Sequence, residues 1–169
     1  VVQATGGRPG VREYEIADGA VVLDVVDVRR GTAALPDAGT IALFDPIGGP
    51  IAVALAEELG DRAVLITQDN IAGNELSRSG DLAPANVRLA QRNVRIEKRT
   101  LLRTVRPGAI DVQDRFNGER RTIAVVAVVD CGFRLPTDAL PGTVQVGDCV
   151  APRTVLEAVL EARRAARTI

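Results

Sequence analysis

Two short, largely apolar segments flank a helical pattern in the first half of the chain. Thr40–Phe44 and Ala63–Thr67 have the pattern of strands that are buried on both faces. Between them, Ile51–Leu59 predicts a helix, with Pro50 at its first position and Gly60 just past its end. This order predicts a βαβ unit, and therefore a parallel sheet with a right-handed crossover.

The following region predicts a second kind of sheet. A helix is predicted over about residues 82–93, and a half-exposed strand over 94–97. Short alternating segments at 101–122, with Asn117-Gly118 as a hairpin turn signal, predict a small antiparallel β-meander. The strongly β-branched residues 123–130 predict one buried strand. The predicted fold class is α/β, a Rossmann-like parallel sheet flanked by helices, with this small meander.

The ends of the chain carry further elements. Residues 20–23 and 25–28 have strand-like apolar runs. A helix is predicted from about Pro152 to Arg167, and its inner side would carry the i,i+4 pairs Leu156/Leu160 and Val155/Val159.

Composition excludes several classes of function. The chain has 169 residues, no histidine and a formal net charge of −1. The lack of histidine excludes a Ser-His-Asp triad, a Cys-His dyad and a histidine metal site within this chain. Aromatic residues make up only 2% of the chain, so base-stacking surfaces are not expected. The net charge is close to zero and gives no sign of a basic surface that would bind nucleic acid. No carboxylate pair has a catalytic spacing and no nucleophile stands beside a base, so we predict no catalytic residue and no metal site.

The two cysteines and the absence of targeting signals add little to this chemistry. Cys131 and Cys149 form no CxxC motif, and we expect both to be small buried side chains. The chain has no signal peptide and no apolar run long enough to span a membrane, so we expect a soluble, cytoplasmic protein. Because the chain begins at Val1 rather than Met, we expect a fragment or a processed chain.

The turn between the first predicted strand and its helix has the chemistry of a phosphate site. Gly48 and Gly49 would leave backbone N–H groups free at a helix N-terminus, where a pyrophosphate can approach closely. The full G-x-G-x-x-G pattern is absent, because Ile47 stands where its first glycine would be. A turn that needs glycine only for packing is an equally open interpretation.

Two further carboxylates follow strand patterns. Asp69 comes after the second predicted strand, where an acidic residue can bind a ribose hydroxyl; a loop aspartate is the alternative. Gly147-Asp148 follows a β-run and precedes the last helix, where a carboxylate could accept hydrogen bonds from sugar or ribityl hydroxyls. A Gly-Asp turn is common, so this local signal is not specific by itself.

Three segments taken together carry a family resemblance: Ala4–Pro9, the Gly48-Gly49-Pro50 turn, and Val146–Arg153 with the alanine-rich helix after it. In order and distance they resemble the C-terminal part of Old Yellow Enzyme-type flavin oxidoreductases, the trimethylamine dehydrogenase and 2,4-dienoyl-CoA reductase group. The stretch Ile71–Leu82 also fits its mycofactocin-linked subgroup. The resemblance covers essentially the whole chain.

The resemblance implies a domain organisation. Residues 1–36 would be the tail of the first segment of an FAD-type domain, 37–130 an inserted NAD(P)-binding-like Rossmann domain, and 131–169 the returning FAD-type segment. An FMN-binding barrel, an iron–sulfur cluster and the first half of the FAD-type domain would belong to a missing N-terminal part. These parts and the dinucleotides would be the partners of this chain, with no nucleic acid or membrane, and with a homo-oligomer as a further option.

The resemblance also implies site residues. Thr5 and Gly6 would lie along an FAD or ADP site. Gly147 and Asp148 would face the ribityl chain or the adjoining phosphate, and Pro152 and Arg153 at the start of the last helix would face the flavin. Gly48, Gly49 and Pro50, with Asp69, would bind NADH or NADPH.

Two hypotheses about function follow. The chain is the dinucleotide-binding part of an NAD(P)H/flavin-dependent oxidoreductase, of the enoate or dienoyl-CoA reductase or amine dehydrogenase type, and is not catalytic alone. Alternatively, it is a vestigial, non-catalytic Rossmann-like scaffold or oligomerisation domain, which Ile47 in the glycine position favours. A free-standing regulatory nucleotide module is a weaker third option, because its sheet would keep an unpaired edge.

Overall fold

The structure of the chain is a computed structural model that describes residues 1–168. These residues form two compact units. The central unit is Arg12–Gly132, and the terminal unit combines Val1–Val11 with the residues from Phe133 onward. The assignment of residues 1–36 and 131–169 to an FAD-type domain and of 37–130 to an NAD(P)-type domain stays a prediction.

The strands are β1 (Val2–Gln3), β2 (Arg8–Pro9), β3 (Glu15–Ile16), β4 (Val22–Asp24), β5 (Ile41–Asp45), β6 (Ala63–Thr67), β7 (Arg95–Glu97), β8 (Thr100–Arg106), β9 (Ala109–Asp114), β10 (Arg120–Ala124), β11 (Ala127–Asp130), β12 (Arg134–Leu135) and β13 (Val144–Gln145). The α-helices are α1 (Val25–Arg30), α2 (Pro50–Leu59), α3 (Leu82–Gln91) and α4 (Val155–Ala165). 3₁₀ helices cover Gly60–Arg62, Asn74–Ser79 and Gly147–Cys149.

A five-stranded parallel sheet forms the middle of the central unit, in the order β4-β11-β5-β6-β7. The predicted βαβ unit is confirmed as β5, α2 and β6, and every residue of both strands is buried. Pro50 begins α2, and Gly60 follows its last residue with a φ of +58°. The predicted parallel sheet with flanking helices is therefore confirmed.

The sheet separates two hydrophobic cores, which explains why its strands read as continuous apolar runs. Along β5, Ile41 and Leu43 belong to one core with side chains of α2 and α3, such as Val53 and Leu89. Their neighbours Ala42 and Phe44 belong to the other core, formed with the antiparallel strands. Successive strand residues point to opposite faces, so both must be apolar when both faces are covered.

The predicted meander is confirmed as β8, β9 and β10, which pair antiparallel in sequence order, with β3 added parallel to β8. Gly118 in the turn between β9 and β10 has a φ of +76°. The carboxylate of Asp114 accepts the backbone N–H groups of Phe116 (2.8 Å) and Asn117 (3.0 Å) and closes that turn.

Residues 123–130 form two strands rather than the single strand that was predicted. β10 ends at Ala124 in the antiparallel sheet, and β11 begins at Ala127 in the parallel sheet. At the crossing, the Val125 N–H donates to Gly108 and the Val126 N–H to Thr40. Because both strands line the same core, the apolar pattern runs on across the break.

The predicted strand at residues 25–28 is also wrong, because these residues begin helix α1. The Asp24 carboxylate caps the helix by accepting the Val26 N–H at 2.7 Å, and Gly31 ends it with a φ of +74°. These two caps outweigh the strand preference of the valines.

The terminal unit holds two short strand pairs, β1 with β13 and β2 with β12, together with α4. Helix α4 is confirmed, but its inner side was predicted wrongly. Its apolar pairs are exposed, with exposed fractions of 78% for Val155, 71% for Leu156, 50% for Val159 and 44% for Leu160. Within residues 1–168, no helix is long and apolar enough to cross a membrane.

Candidate functional site

Carboxylates gather where the parallel strands end. Four of the five strands end in an acidic residue, namely Asp24, Asp45, Glu97 and Asp130. The fifth strand, β6, ends at Thr67, and Asp69 follows it by two residues. Open parallel sheets bind ligands at this edge. The chemistry of the central unit therefore depends on what these carboxylates contact.

The Gly48–Gly49 turn donates its N–H groups to Asp45. The Oδ1 atom of Asp45 accepts the N–H groups of Ile47 (3.2 Å), Gly48 (2.9 Å) and Gly49 (3.4 Å). The residue is only 1% exposed, and its Oδ2 atom has no hydrogen-bond partner among the described residues. The sequence predicted free N–H groups here, and the structure instead places them on an internal carboxylate.

The environment of Asp45 disfavours its charge. Burial raises its pKa from 3.8 to about 6, and the three N–H groups oppose this increase. The charge of Asp69 adds to the increase. At neutral pH Asp45 is still mostly ionised, so a negative charge occupies the turn.

Asp69 lies against the same turn. Gly48 has a φ of +73°, and a Cβ at this position would lie 2.9 Å from the Asp69 Oδ2 atom. The backbone of Asp69 is held on both sides: its N–H donates to the Thr67 hydroxyl at 3.2 Å and its carbonyl accepts the Arg99 N–H at 3.0 Å. The structure thus brings together Gly48 and Asp69, two of the predicted site residues, and adds Asp45 to them.

Asp130, at the end of the neighbouring strand β11, is held by a separate set of donors. Its carboxylate accepts the Tyr14 hydroxyl at 2.7 Å, the Arg12 Nε at 2.9 Å and the Gly132 N–H at 2.8 Å. Burial and the hydrogen bond to Asp130 both raise the pKa of Tyr14, which therefore stays a hydrogen-bond donor. The ring of Tyr14 also packs edge-on against Phe44, with 5.4 Å between ring centroids.

In the terminal unit, the predicted residues Thr5 and Gly6 lie beside Thr137. The Thr5 hydroxyl is 3.2 Å from the Thr137 hydroxyl and accepts a hydrogen bond from the Gln3 side chain. The Gly6 carbonyl accepts the Thr137 hydroxyl at 3.4 Å. Thr5 is exposed, and Gly6 has a φ of +77° with open space where a side chain would be.

Gly147 and Arg153 are brought together by a residue that the sequence analysis did not single out, Glu161 of α4. The Gly147 N–H donates to Glu161 at 2.7 Å, and Arg153 forms an ion pair with the same carboxylate. Asp148 is half-buried and makes no side-chain hydrogen bond or ion pair within residues 1–168.

The start of α4 is capped from within the chain. Thr154 and Glu157 form a reciprocal capping box, in which the Thr154 hydroxyl accepts the Leu156 N–H. Pro152 precedes this cap and lies against the Gly6-Gly7 segment, since a Cβ at Gly7 would be 2.9 Å from its Cγ atom. The Leu156 N–H at the start of this helix therefore already has a hydrogen-bond partner within the chain.

Asp45 and Glu161 are the residues that sequence reasoning missed. Asp45 had a readable signal, because an aspartate directly after a buried strand and three residues before Gly48 can accept the N–H groups of the turn. Glu161 had none, since its partner Gly147 is fourteen residues away along the chain. In the described part of the chain, no group of three or more potential ligands is arranged to hold a metal ion.

Comparison with known proteins finds a similar fold in solved structures. No family model and no curated protein matches the sequence. Among solved structures, histamine dehydrogenase from Rhizobium sp. 4-9 matches with a TM-score of 0.87 at 19% identity, covering 99% of this chain and 30% of that one. A 2-naphthoyl-CoA reductase matches with a TM-score of 0.85 at 20% identity, covering 99% and 26%. Thioredoxin reductase from T. acidophilum matches with a TM-score of 0.69 at 13% identity, covering 97% and 62%.

These matches confirm the resemblance at the level of the fold. The chain has the fold of a region of the histamine dehydrogenase and of the naphthoyl-CoA reductase. It spans less than a third of the length of the histamine dehydrogenase and the naphthoyl-CoA reductase.

Proposed function

We propose that this chain is the dinucleotide-domain region of a flavin-dependent oxidoreductase of the trimethylamine dehydrogenase and 2,4-dienoyl-CoA reductase group. The observation that carries the proposal is the match over 99% of the chain to a histamine dehydrogenase and to a naphthoyl-CoA reductase. Both are redox enzymes by name. The three-layer arrangement of helices, parallel sheet and antiparallel strands in the central unit supports the same assignment.

In this proposal the terminal unit supplies half of an FAD or ADP site. Asp148 supports this role, because it is half-buried and makes no side-chain hydrogen bond or ion pair within the described residues. Such a carboxylate can accept hydrogen bonds from ribose or ribityl hydroxyls. Thr5 and Gly6 would line the same site through their backbone, and Pro152 and Arg153 would lie near the flavin.

The central unit would take the nicotinamide dinucleotide, NADH or NADPH, at Gly48, Gly49 and Pro50. The chain would then connect this dinucleotide with FAD and with an FMN barrel carrying an iron–sulfur cluster, both outside this sequence. An enoate, dienoyl-CoA or amine substrate would meet only the barrel. Such an enzyme would act in the cytoplasm, without nucleic acid or membrane, and could assemble as a homo-oligomer.

A second candidate function is a non-catalytic scaffold, and one observation favours it. Three N–H groups at the Gly48–Gly49 turn donate to Asp45. With this carboxylate in place, the donor set of the turn does not fit a pyrophosphate. The scaffold candidate thus predicts no nucleotide binding at the two sites, whereas the first candidate predicts that they bind dinucleotides.

Nucleotide binding to the purified chain separates the two candidates. We expect ADP or FAD to raise the melting temperature, since ligand at a hundred times its Kd adds about 2.7 kcal/mol of stability. For a chain of this size that corresponds to roughly 5–10 °C. Asp148→Ala should remove the shift, while Asp138→Ala, at an exposed carboxylate of the same unit, should not. A folded chain that responds to none of ADP, FAD, NADH and NADPH would contradict dinucleotide binding by this chain on its own.

A further inference from the structure

The phosphate position of the Gly48–Gly49 turn already holds an anion. In parallel α/β sheets, the pyrophosphate of a dinucleotide accepts hydrogen bonds at the turn between the first strand and the N-terminus of its helix. In this chain the turn between β5 and α2 donates to the Asp45 Oδ1 atom, with the shortest contact at 2.9 Å from Gly48. Pro50 removes one more N–H from the first turn of α2.

We propose that Asp45 is a built-in anion that fills the phosphate position of this turn and excludes a pyrophosphate group from it. The inference goes beyond the proposed function: it leaves the FAD or ADP role of the terminal unit in place and replaces the nicotinamide role proposed for the Gly48–Gly49 turn, and it rests on the proposed function only for the identity of the excluded ligand as a dinucleotide. Inorganic pyrophosphate and sulfate test the turn independently of that assignment.

A comparison within the chain shows what is unusual about Asp45. Asp114 also accepts two backbone N–H groups in a turn, but it lies in the β9–β10 hairpin, where those N–H groups lower its pKa. Asp45 makes the same kind of contact while it is 1% exposed, and its Oδ2 atom lacks a hydrogen-bond partner among the described residues. A neutral side chain would cap the turn without burying a charge, so capping alone does not require an aspartate.

The groups around Asp45 reinforce the exclusion. Asp69 adds a second negative charge beside Gly48. On the β11 side, burial raises the pKa of the Cys131 thiol and the charges of Asp45 and Asp130 add to this increase, so the thiol stays neutral. Asp130 itself is paired with Arg12. An incoming phosphate would therefore meet two carboxylates at the turn.

The test titrates inorganic pyrophosphate into the purified chain at pH 7.5 and measures the heat of binding. We compare the unmodified chain with Asp45→Ala, Asp69→Asn and the double variant, and use Asp114→Ala as the matched control. The unmodified chain, Asp69→Asn and Asp114→Ala should not bind at millimolar pyrophosphate. The double variant should bind at least tenfold more tightly than the unmodified chain, and Asp45→Ala should fall between them.

Two results would overturn the proposal. One is an unmodified chain that binds pyrophosphate as tightly as the double variant, with the heat lost when Gly48 is replaced by alanine. The other is a double variant that is folded by circular dichroism and still does not bind pyrophosphate.

An acid titration keeps the proposal testable if Asp45→Ala fails to fold. Sulfate remains a dianion between pH 5 and 7.5, so its binding reports on the protein alone. The unmodified chain should bind sulfate at least tenfold more tightly at pH 5 than at pH 7.5. Asp45→Asn keeps an oxygen acceptor in the turn, loses the charge, and should abolish this pH dependence. Binding that is independent of pH in the unmodified chain would refute the proposal.

NADPH in the same titrations separates this inference from the proposed function. A double variant that binds pyrophosphate but not NADPH would support the role of Asp45 and contradict the nicotinamide role of the central unit. An unmodified chain that binds NADPH, with loss of binding in Gly48→Ala, would refute the inference and support the proposed function.

Discussion

The charge of Asp45 should make the stability of this chain fall as the pH rises through the weakly acidic range. Its pKa is about 6 in the folded chain, against an ordinary value of 3.8. The folded state therefore binds the proton more tightly than the unfolded state. Stability contributed by this group is fully present below about pH 4 and is lost as the pH rises through the folded pKa.

The size of the stability loss follows from the difference between the folded and the ordinary pKa of Asp45. At about 1.4 kcal/mol for each pKa unit, ionising Asp45 costs about 3 kcal/mol, of which roughly 2.5 kcal/mol falls between pH 4 and 7.5. Asp45→Asn does not ionise. Its amide nitrogen lacks a partner where Oδ2 stood, which costs about 1–3 kcal/mol at every pH. The stability of the variant relative to the unmodified chain should therefore improve by roughly 2.5 kcal/mol from pH 4 to 7.5.

The assay is urea unfolding of both proteins at several pH values, followed by far-ultraviolet circular dichroism. Taking the difference between the two proteins cancels the titration of all other groups. Asp114→Asn is the control: the pKa of Asp114 is lowered below its ordinary 3.8, so its pH-dependent contribution to stability is nearly complete at pH 4, and the difference between this variant and the unmodified chain should stay nearly constant from pH 4 to 7.5. A difference between Asp45→Asn and the unmodified chain that stays constant across this range would refute the reasoning.

Three further predictions concern the turn, the core and the exposed side of α4, and the same unfolding assay checks all of them. Gly48→Ala should lower the free energy of unfolding by about 1–3 kcal/mol, because the φ of Gly48 is +73° and a Cβ there would lie 2.9 Å from the Asp69 Oδ2 atom. Gly49→Ala should lower it by less, because the φ of Gly49 is −93°. Equal losses in the two variants would contradict the assigned geometry. Leu43→Ala should cost about 2–5 kcal/mol, because Leu43 is fully buried. Leu156→Ala should change stability by no more than about 0.5 kcal/mol, because Leu156 is 71% exposed, and a larger loss would mean that its face of α4 is covered.

The turn at Gly48–Gly49 shows how far sequence reasoning reached at the candidate site. The strand, the turn and the helix after it could all be predicted, because apolar runs, a glycine pair and a proline each act over a few residues. What occupies the N–H groups of the turn could not be inferred from a search for glycines. The partner Asp45 is local, but its burial depends on strands and helices that lie far away along the chain.

The amino-acid sequence by itself determined the βαβ unit, the antiparallel meander and the helices α2, α3 and α4. These elements follow from hydrophobic period, turn chemistry and capping, which are short-range properties. Only the tertiary structure decided that residues 123–130 divide between two sheets and that the apolar side of α4 is exposed in this chain. It also decided that a buried carboxylate fills the glycine turn. The physical reason is the same in each case: a residue pattern reports how apolar a side chain is, whereas burial and hydrogen-bond partners depend on what the rest of the chain places beside it.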